Sequence, residues 1–166
     1  MANEDYVNKG TSKLVNNGTG SNVAWTMEGL ANAAGRVSAQ IDWGAVPRPY
    51  RYHWSCEVQF QATPTQGAVL ELYIATAPDA DSTQIDGDIG ATNAALGDVD
   101  MRRNLRAIGA VVSENAAASE ICVASGYFTC YERYFSIVGY NASGAAINAT
   151  ADNFRFNIVP VYNQGQ

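Results

Sequence analysis

Between Arg51 and Ala62 every second residue is apolar: Tyr52, Trp54, Cys56, Val58, Phe60 and Ala62 alternate with Arg51, His53, Ser55, Glu57, Gln59 and Gln61. Side chains of an extended chain point to opposite faces in turn, so this segment predicts a strand with one buried face and one wet face. A helix would spread the same apolar groups around its whole circumference. The next residues, Thr63-Pro64-Thr65-Gln66-Gly67, are turn formers. Alternation then resumes over Ala68–Ala77, with Leu70, Leu72 and Ile74 on one side and Glu71 and Tyr73 on the other. The two runs together predict a β-hairpin.

Other segments repeat the period. In Arg36–Trp43, the residues Val37, Ala39, Ile41 and Trp43 are expected inside and Arg36, Ser38, Gln40 and Asp42 outside, until Pro47 and Pro49 break the ladder. Leu105–Ser113 and Ile121–Thr129 are apolar on both faces, which predicts strands in the middle of a packed sandwich. Tyr134–Asn141 and Phe154–Tyr162 follow, and Asn22–Met27 is a weaker candidate. The expected fold is therefore all-β: an antiparallel, jelly-roll-like sandwich of about eight strands, with residues 1–20 as an extended N-terminal arm and 21–166 as one domain. Its expected core holds Trp54, Val58, Phe60, Leu70, Leu72, Ile108, Val112, Val123, Ile137 and Phe156. The one long insertion is Pro78–Asn104, in which Ala91–Leu96 could hold a short helix, and long loops of this kind are usually functional or disordered.

Composition narrows the function. Hydrophobic residues make up 47% of the chain and charged ones only 16%, with just two lysines, Lys9 and Lys13. So little charge implies that part of the surface meets other protein. A net charge of −6 argues against a nucleic-acid partner, which needs a basic patch. Arg102, Arg103 and Arg106 form a local cluster, expected to be a solvated turn or to pair with Asp98 or Asp100. No stretch of about 18 apolar residues is present to meet a membrane. The first residues show no export signal, and the three cysteines, Cys56, Cys122 and Cys130, lie on strands with no CxxC pair. Reduced thiols and synthesis in a cytoplasm are the expectation, so the sequons at Asn17, Asn141 and Asn148 carry no weight.

No catalytic constellation stands out, and no catalytic, cofactor-binding or metal-binding residue is assigned. The chain holds one histidine, His53, on the polar face of the strongest strand, where an ordinary cross-strand role is favoured over a triad with no nucleophile elbow. Asp79, Asp81, Asp86 and Asp88 lie close together, but their spacing does not fit a calcium-binding EF-hand loop, and a solvated acidic loop is the simpler reading. Trp25, Trp43 and Trp54 could line a sugar-binding face, but Trp43 and Trp54 follow the inward phase of their strands. Tyr50, Tyr73 and Tyr140 are the aromatic residues expected to be available for contacts.

Two stretches, Ala62-Thr63-Pro64-Thr65-Gln66-Gly67 with the strand Ala68–Ala77, and Glu132-Arg133-Tyr134-Phe135-Ser136-Ile137-Val138 leading into Asn141-Ala142-Ser143-Gly144-Ala145-Ala146, carry a resemblance. With the closing Phe154–Tyr162 strand and its short polar tail, they make the chain similar to uncharacterised structural proteins of tailed bacteriophage particles, of the small β-sandwich cement or decoration type. The tail Asn163-Gln164-Gly165-Gln166 departs from that pattern in lacking acidic residues. The resemblance implies a non-enzymatic virion protein, made in the host cytoplasm. Its partners would be the major capsid protein and further copies of itself, as a homo-oligomer on the particle. It implies no cofactor. A carbohydrate-binding or tail-associated sandwich module is the alternative, with a small hydrolase built around His53 as a third reading.

Overall fold

The computed structural model describes residues 6–16, 20–44, 49–80, 86, 89–114 and 121–164. Twelve strands build the fold: β1 Tyr6–Lys9, β2 Lys13–Asn16, β3 Val23–Ala24, β4 Ala34–Val37, β5 Ile41–Asp42, β6 Arg51–Gln59, β7 Val69–Ala77, β8 Ala94–Ala95, β9 Arg106–Val112, β10 Ile121–Thr129, β11 Tyr134–Ala142 and β12 Phe154–Gln164. One sheet, A, runs β10-β6-β12-β2-β3, with β1 also on β12. The other, B, runs β8-β4-β11-β7-β9, with β5 also on β11. Setting aside β1, β3, β5 and β8, β2-β12-β6-β10 faces β4-β11-β7-β9, and the chain crosses between sheets at nearly every connection. That is the strand order of a jelly roll.

The interior between the sheets is filled as the alternation requires. Tyr52, Trp54, Cys56 and Val58 of β6, with Phe60 beyond it, meet Leu70, Leu72 and Ile74 of β7 and Phe135 and Ile137 of β11. Phe154, Phe156 and Ile158 of β12 join them, and Trp25 packs edge-on against Phe154 and Phe156 at 5.1 and 5.4 Å between ring centres. Trp54 is seated closely enough that a Cβ on Gly126 would lie 2.9 Å from its indole nitrogen. Pro160 sits inside β12, where its missing N–H faces the β1 side: its carbonyl accepts from Gly10 at 3.1 Å, while odd-numbered residues of β12 bond β6.

Several sequence expectations need correction. Residues 51–77 do not form a hairpin: β6 lies in sheet A and β7 in sheet B. The intervening turn is an arch, held by Thr65 N–H donating to the Ser143 carbonyl at 2.8 Å and Gly67 N–H to the Ser113 carbonyl at 2.9 Å. Two strands with matching inward faces fit facing sheets as well as neighbouring strands, and alternation alone does not separate the two. Residues 1–20 are not an arm over their described part. β2 pairs with β12, and Val15 is fully buried in the core. Residues 1–5 and 17–19 lie outside the described residues.

The single strand expected over Arg36–Trp43 is broken. Ser38 is buried and its hydroxyl accepts the Ile137 N–H at 3.0 Å, so Val37 packs outside sheet B while Ile41 packs in the interior. Asn22–Met27 keeps only Val23–Ala24 as a strand. Ala91–Leu96 is no helix. Ala94 and Ala95 pair with Val37 and Arg36, and the Asn93 carboxamide oxygen accepts the Thr26 N–H at 3.1 Å. Of the expected core, Val112 and Val123 are exposed, at 54% and 67%, and Ile108 is only partly buried.

The long connection from Pro78 to Asn104 accounts for the second packed region. Ile89, Leu96 and Leu105 lie over the outer face of sheet B, against Val37, Ala75, Ala77 and Val138. A 3-10 helix, Val99–Asn104, is tied down by Arg102, which pairs with Glu71 at 3.2 Å and lies 3.8 Å over the ring of Tyr140. Burial, followed by a 2.6 Å hydrogen bond to the Glu71 carboxylate, pushes the Tyr73 hydroxyl up to about 12. As a result β11 is buried on both of its faces.

Candidate interaction surface

Leu105–Ser113 and Ile121–Thr129 correspond to β9 and β10, and these are the edge strands of their sheets rather than central ones. Strands apolar on both faces are expected in the middle of a sheet, so here the second apolar face needs another explanation. On β10, Cys122 and Phe128 point inward while Ile121, Val123 and Tyr127 stand exposed at 63%, 67% and 56%. Beside them on β6 lie the polar residues His53, Ser55 and Glu57, in register with Tyr127, Ser125 and Val123. The outer face of sheet A therefore carries an apolar strip at its margin.

An open cleft of about 270 Å³ lies where β9 and β10 meet, lined by Arg51, Arg106, Ala107, Ile108, Tyr127, Phe128 and Thr129. The Arg51 guanidinium lies 4.6 Å over the Tyr127 ring, and His53 packs edge-on against the same ring at 5.0 Å. Arg106 donates to the Thr129 carbonyl. Neither arginine forms an ion pair with a described carboxylate, although the protein as a whole is acidic. Tyr50 and Tyr131 stack nearly parallel, 5.9 Å apart and 7° between planes, where β6 and β10 end.

The residues singled out in the sequence are dispersed. His53 has an aromatic neighbour in Tyr127 and a cross-strand neighbour in Val159, and no carboxylate pairs with it among the described residues. Asp86 accepts from the Thr76 N–H and hydroxyl at 2.9 and 2.6 Å, Asp79 is exposed, and Asp81 and Asp88 lie outside the described residues. Among the described residues no three His, Cys, Asp or Glu side chains converge. Trp25 and Trp54 are buried, and Trp43 packs against Tyr52 and Phe135 with the Lys13 ammonium 5.1 Å over it. Of the three tyrosines expected to be available, Tyr140 is buried under Arg102, Tyr73 is bound to Glu71, and Tyr50 alone is exposed.

Asp98 caps the 3-10 helix by accepting the Asp100 N–H, and Arg103 pairs with Asp100 at 3.3 Å, whereas Arg102 and Arg106 find other partners. Cys56, Cys122 and Cys130 are buried and in no disulfide, and burial pushes the Cys56 thiol far up. Asn141 is buried, with its carboxamide donating to the carbonyls of Leu30, Ala31 and Ala145, so a glycan has no access to it. Tyr127 and Tyr131 are exposed aromatic residues that sequence reading does not single out, and for Tyr127 a signal is present. The signal was the odd phase of Ile121–Thr129, in which Ile121, Val123 and Tyr127 share one face. Compared with known protein families and with curated proteins, the chain matches none.

Proposed function

We propose that this protein is a non-enzymatic structural component of a phage particle, a capsid cement or decoration protein that binds across joints between capsid subunits. The observation that supports this reading most is the bare outer margin of sheet A, where Ile121, Val123 and Tyr127 present apolar surface with no charge on their strand. Apolar surface left out on an otherwise well-filled sandwich marks a contact with protein. The resemblance in the turn Ala62–Gly67 and in Glu132–Ala146 points to the same class. In this role the work is adhesion. Each copy buries interface area, roughly 1,200–2,000 Å² for a specific contact, and many copies together resist expansion of the shell.

The contact is assigned to sheet A and not to the long connection, because Ile89, Leu96 and Leu105 of that connection pack on sheet B. Purified particles stripped of the protein should bind it saturably, and Val123→Asp should lower occupancy at least tenfold while the circular dichroism spectrum stays that of the parent. Occupancy should fall only modestly from low to physiological salt, because few ion pairs are involved. Failure of the parent protein to bind, or undiminished binding by Val123→Asp, contradicts the assignment.

One observation favours a second reading, a carbohydrate-binding module. Arg51 and Arg106, which form no ion pair among the described residues and lie beside Tyr127, offer with the nearby Tyr50 and Tyr131 rings cationic and aromatic groups suited to an acidic sugar. Saturable binding of an acidic oligosaccharide that is lost in Arg51→Ala, with no binding to particles, would establish this reading instead.

A further inference from the structure

Leaving aside β1 and β5, which add four and two residues beside β12 and β11, each sheet has two ends, and three of the four are blunt. β3 and β8 are two residues long, and β9 carries a register shift opposite Leu72 and Tyr73. Short and irregular edges are how sheets avoid joining one another. The fourth end is β10, nine residues in unbroken register with β6. Its sequence, Ile-Cys-Val-Ala-Ser-Gly-Tyr-Phe-Thr, contains neither a charge nor a proline.

The hydrogen-bond phase tells which backbone groups this edge leaves open. Cys130 N–H donates to the Tyr50 carbonyl at 2.8 Å, and Gln59 N–H donates to the Asn153 carbonyl at 2.9 Å. Even-numbered residues of β6 and β10 therefore bond each other, and odd-numbered residues of β6 bond β12. The N–H and C=O groups of Ile121, Val123, Ser125, Tyr127 and Thr129 point away from β6. Arg106 takes the Thr129 carbonyl, and among the described residues no strand pairs with this side of β10.

We infer that β10 pairs antiparallel with β10 of a second copy, about a two-fold axis at Ser125, joining two A sheets into one. The strand is complementary to itself in this register. Val123 meets Tyr127 of the other copy, Ile121 meets Thr129, and Ser125 meets Ser125. Aromatic and β-branched residues opposite one another are favourable cross-strand pairs. One row across the joint runs Ser55, Ser125, Ser125, Ser55, and its neighbours run His53, Tyr127, Val123, Glu57 in either direction. Two copies of net charge −6 repel over most of their surfaces, and β10 itself adds no charge to the joint. A two-fold contact of this kind closes on itself and stops at the dimer. The pairing does not rest on the virion reading, since it forms in free protein with no particle present.

Sedimentation or light scattering of the isolated chain over the micromolar range should report a dimer. Ser125→Lys, which sets two ammonium groups face to face at the axis, should give a monomer with unchanged circular dichroism. Ser125→Pro should do the same, because the N–H it removes is not part of the β6 ladder. If Ser125→Pro does not fold, Ser125→Lys at this exposed position keeps the test intact. Residues in a hydrogen-bonded antiparallel pair lie about 5.5 Å apart at Cα, within disulfide range. Mild oxidation of the Ser125→Cys chain should therefore yield a covalent dimer. Tyr127→Cys should not, because its two copies are offset by about 14 Å along the strands. A parent chain that stays monomeric, a Ser125→Lys chain that stays dimeric, or equal cross-linking of the two cysteine variants overturns the inference.

Discussion

The two sheets are alike on the inside and opposite on the outside. Sheet B lies between the shared core and its own long connection, which lays Ile89, Leu96 and Leu105 over Val37 and Val138. Among the described residues sheet A has no such cover at its β10 margin, where Val123 is exposed to 67% while Val138 is fully buried. Both valines stand on the outer faces of their sheets. Similar strand sequences thus end in different environments, according to whether another piece of the same chain covers them.

Removing Met1–Gly20 is expected to have the largest effect. It takes β1 and β2 off β12 and Val15 out of the core. That should remove a large share of the ~5–15 kcal/mol that holds such a domain folded, read as a much lower or non-cooperative thermal transition. A truncated chain that melts like the parent would return these residues to the status of an arm.

The cover over sheet B comes next. Leu96→Ala should cost about 2–3 kcal/mol in denaturant unfolding, as truncating a buried leucine does, while a surface loop would lose almost nothing. The valine pair gives the sharpest contrast. Val138→Ala should cost about 2 kcal/mol and Val123→Ala about 0.5 kcal/mol or less. Equal costs would mean that the two outer faces are covered alike.

The smallest effect is electrostatic. Arg133 holds Asp42 through two hydrogen bonds of 2.7 and 2.8 Å, and chiefly for that reason its carboxyl is lowered to about 2. A lowered carboxyl stabilises the fold above its unfolded value of about 3.9 and loses that contribution as pH falls toward about 2. The pair is half exposed and screened by solvent, so Asp42→Asn should barely move the melting temperature at neutral pH. An NMR titration of Asp42 with its midpoint near the ordinary value would show the pair to be open in solution.

Strand positions were largely legible in the sequence because a one-sided strand writes its burial as a period of two. Tyr52 to Phe60 and Leu70 to Ile74 are buried in that phase. Pairing was not legible. The turn at Thr63–Gly67 has hairpin chemistry, yet its partners are the Ser143 and Ser113 carbonyls, far away in sequence. β10 is misread for a related reason: Ile121, Val123 and Tyr127 look like a second core-facing row, and only the structure shows β10 at a sheet edge with these three exposed among the described residues. Leu96 and Ile89 sit in a stretch with no period, so their role as a cover left no pattern to find. The surface arginines and tyrosines become a cleft only when β9 and β10 are brought side by side.

Residue-resolved amide hydrogen exchange along β10 tests the account most directly. In dilute protein the amides of Cys122, Ala124, Gly126 and Phe128, bonded to β6, should exchange slowly, and those of Ile121, Val123, Ser125 and Tyr127 should exchange fast. On concentrating the sample the odd-numbered amides should become protected as well. Odd-numbered amides as slow as the even ones at the lowest concentration would mean that the edge is already covered. Odd-numbered amides that stay fast at every concentration would mean that β10 pairs with nothing.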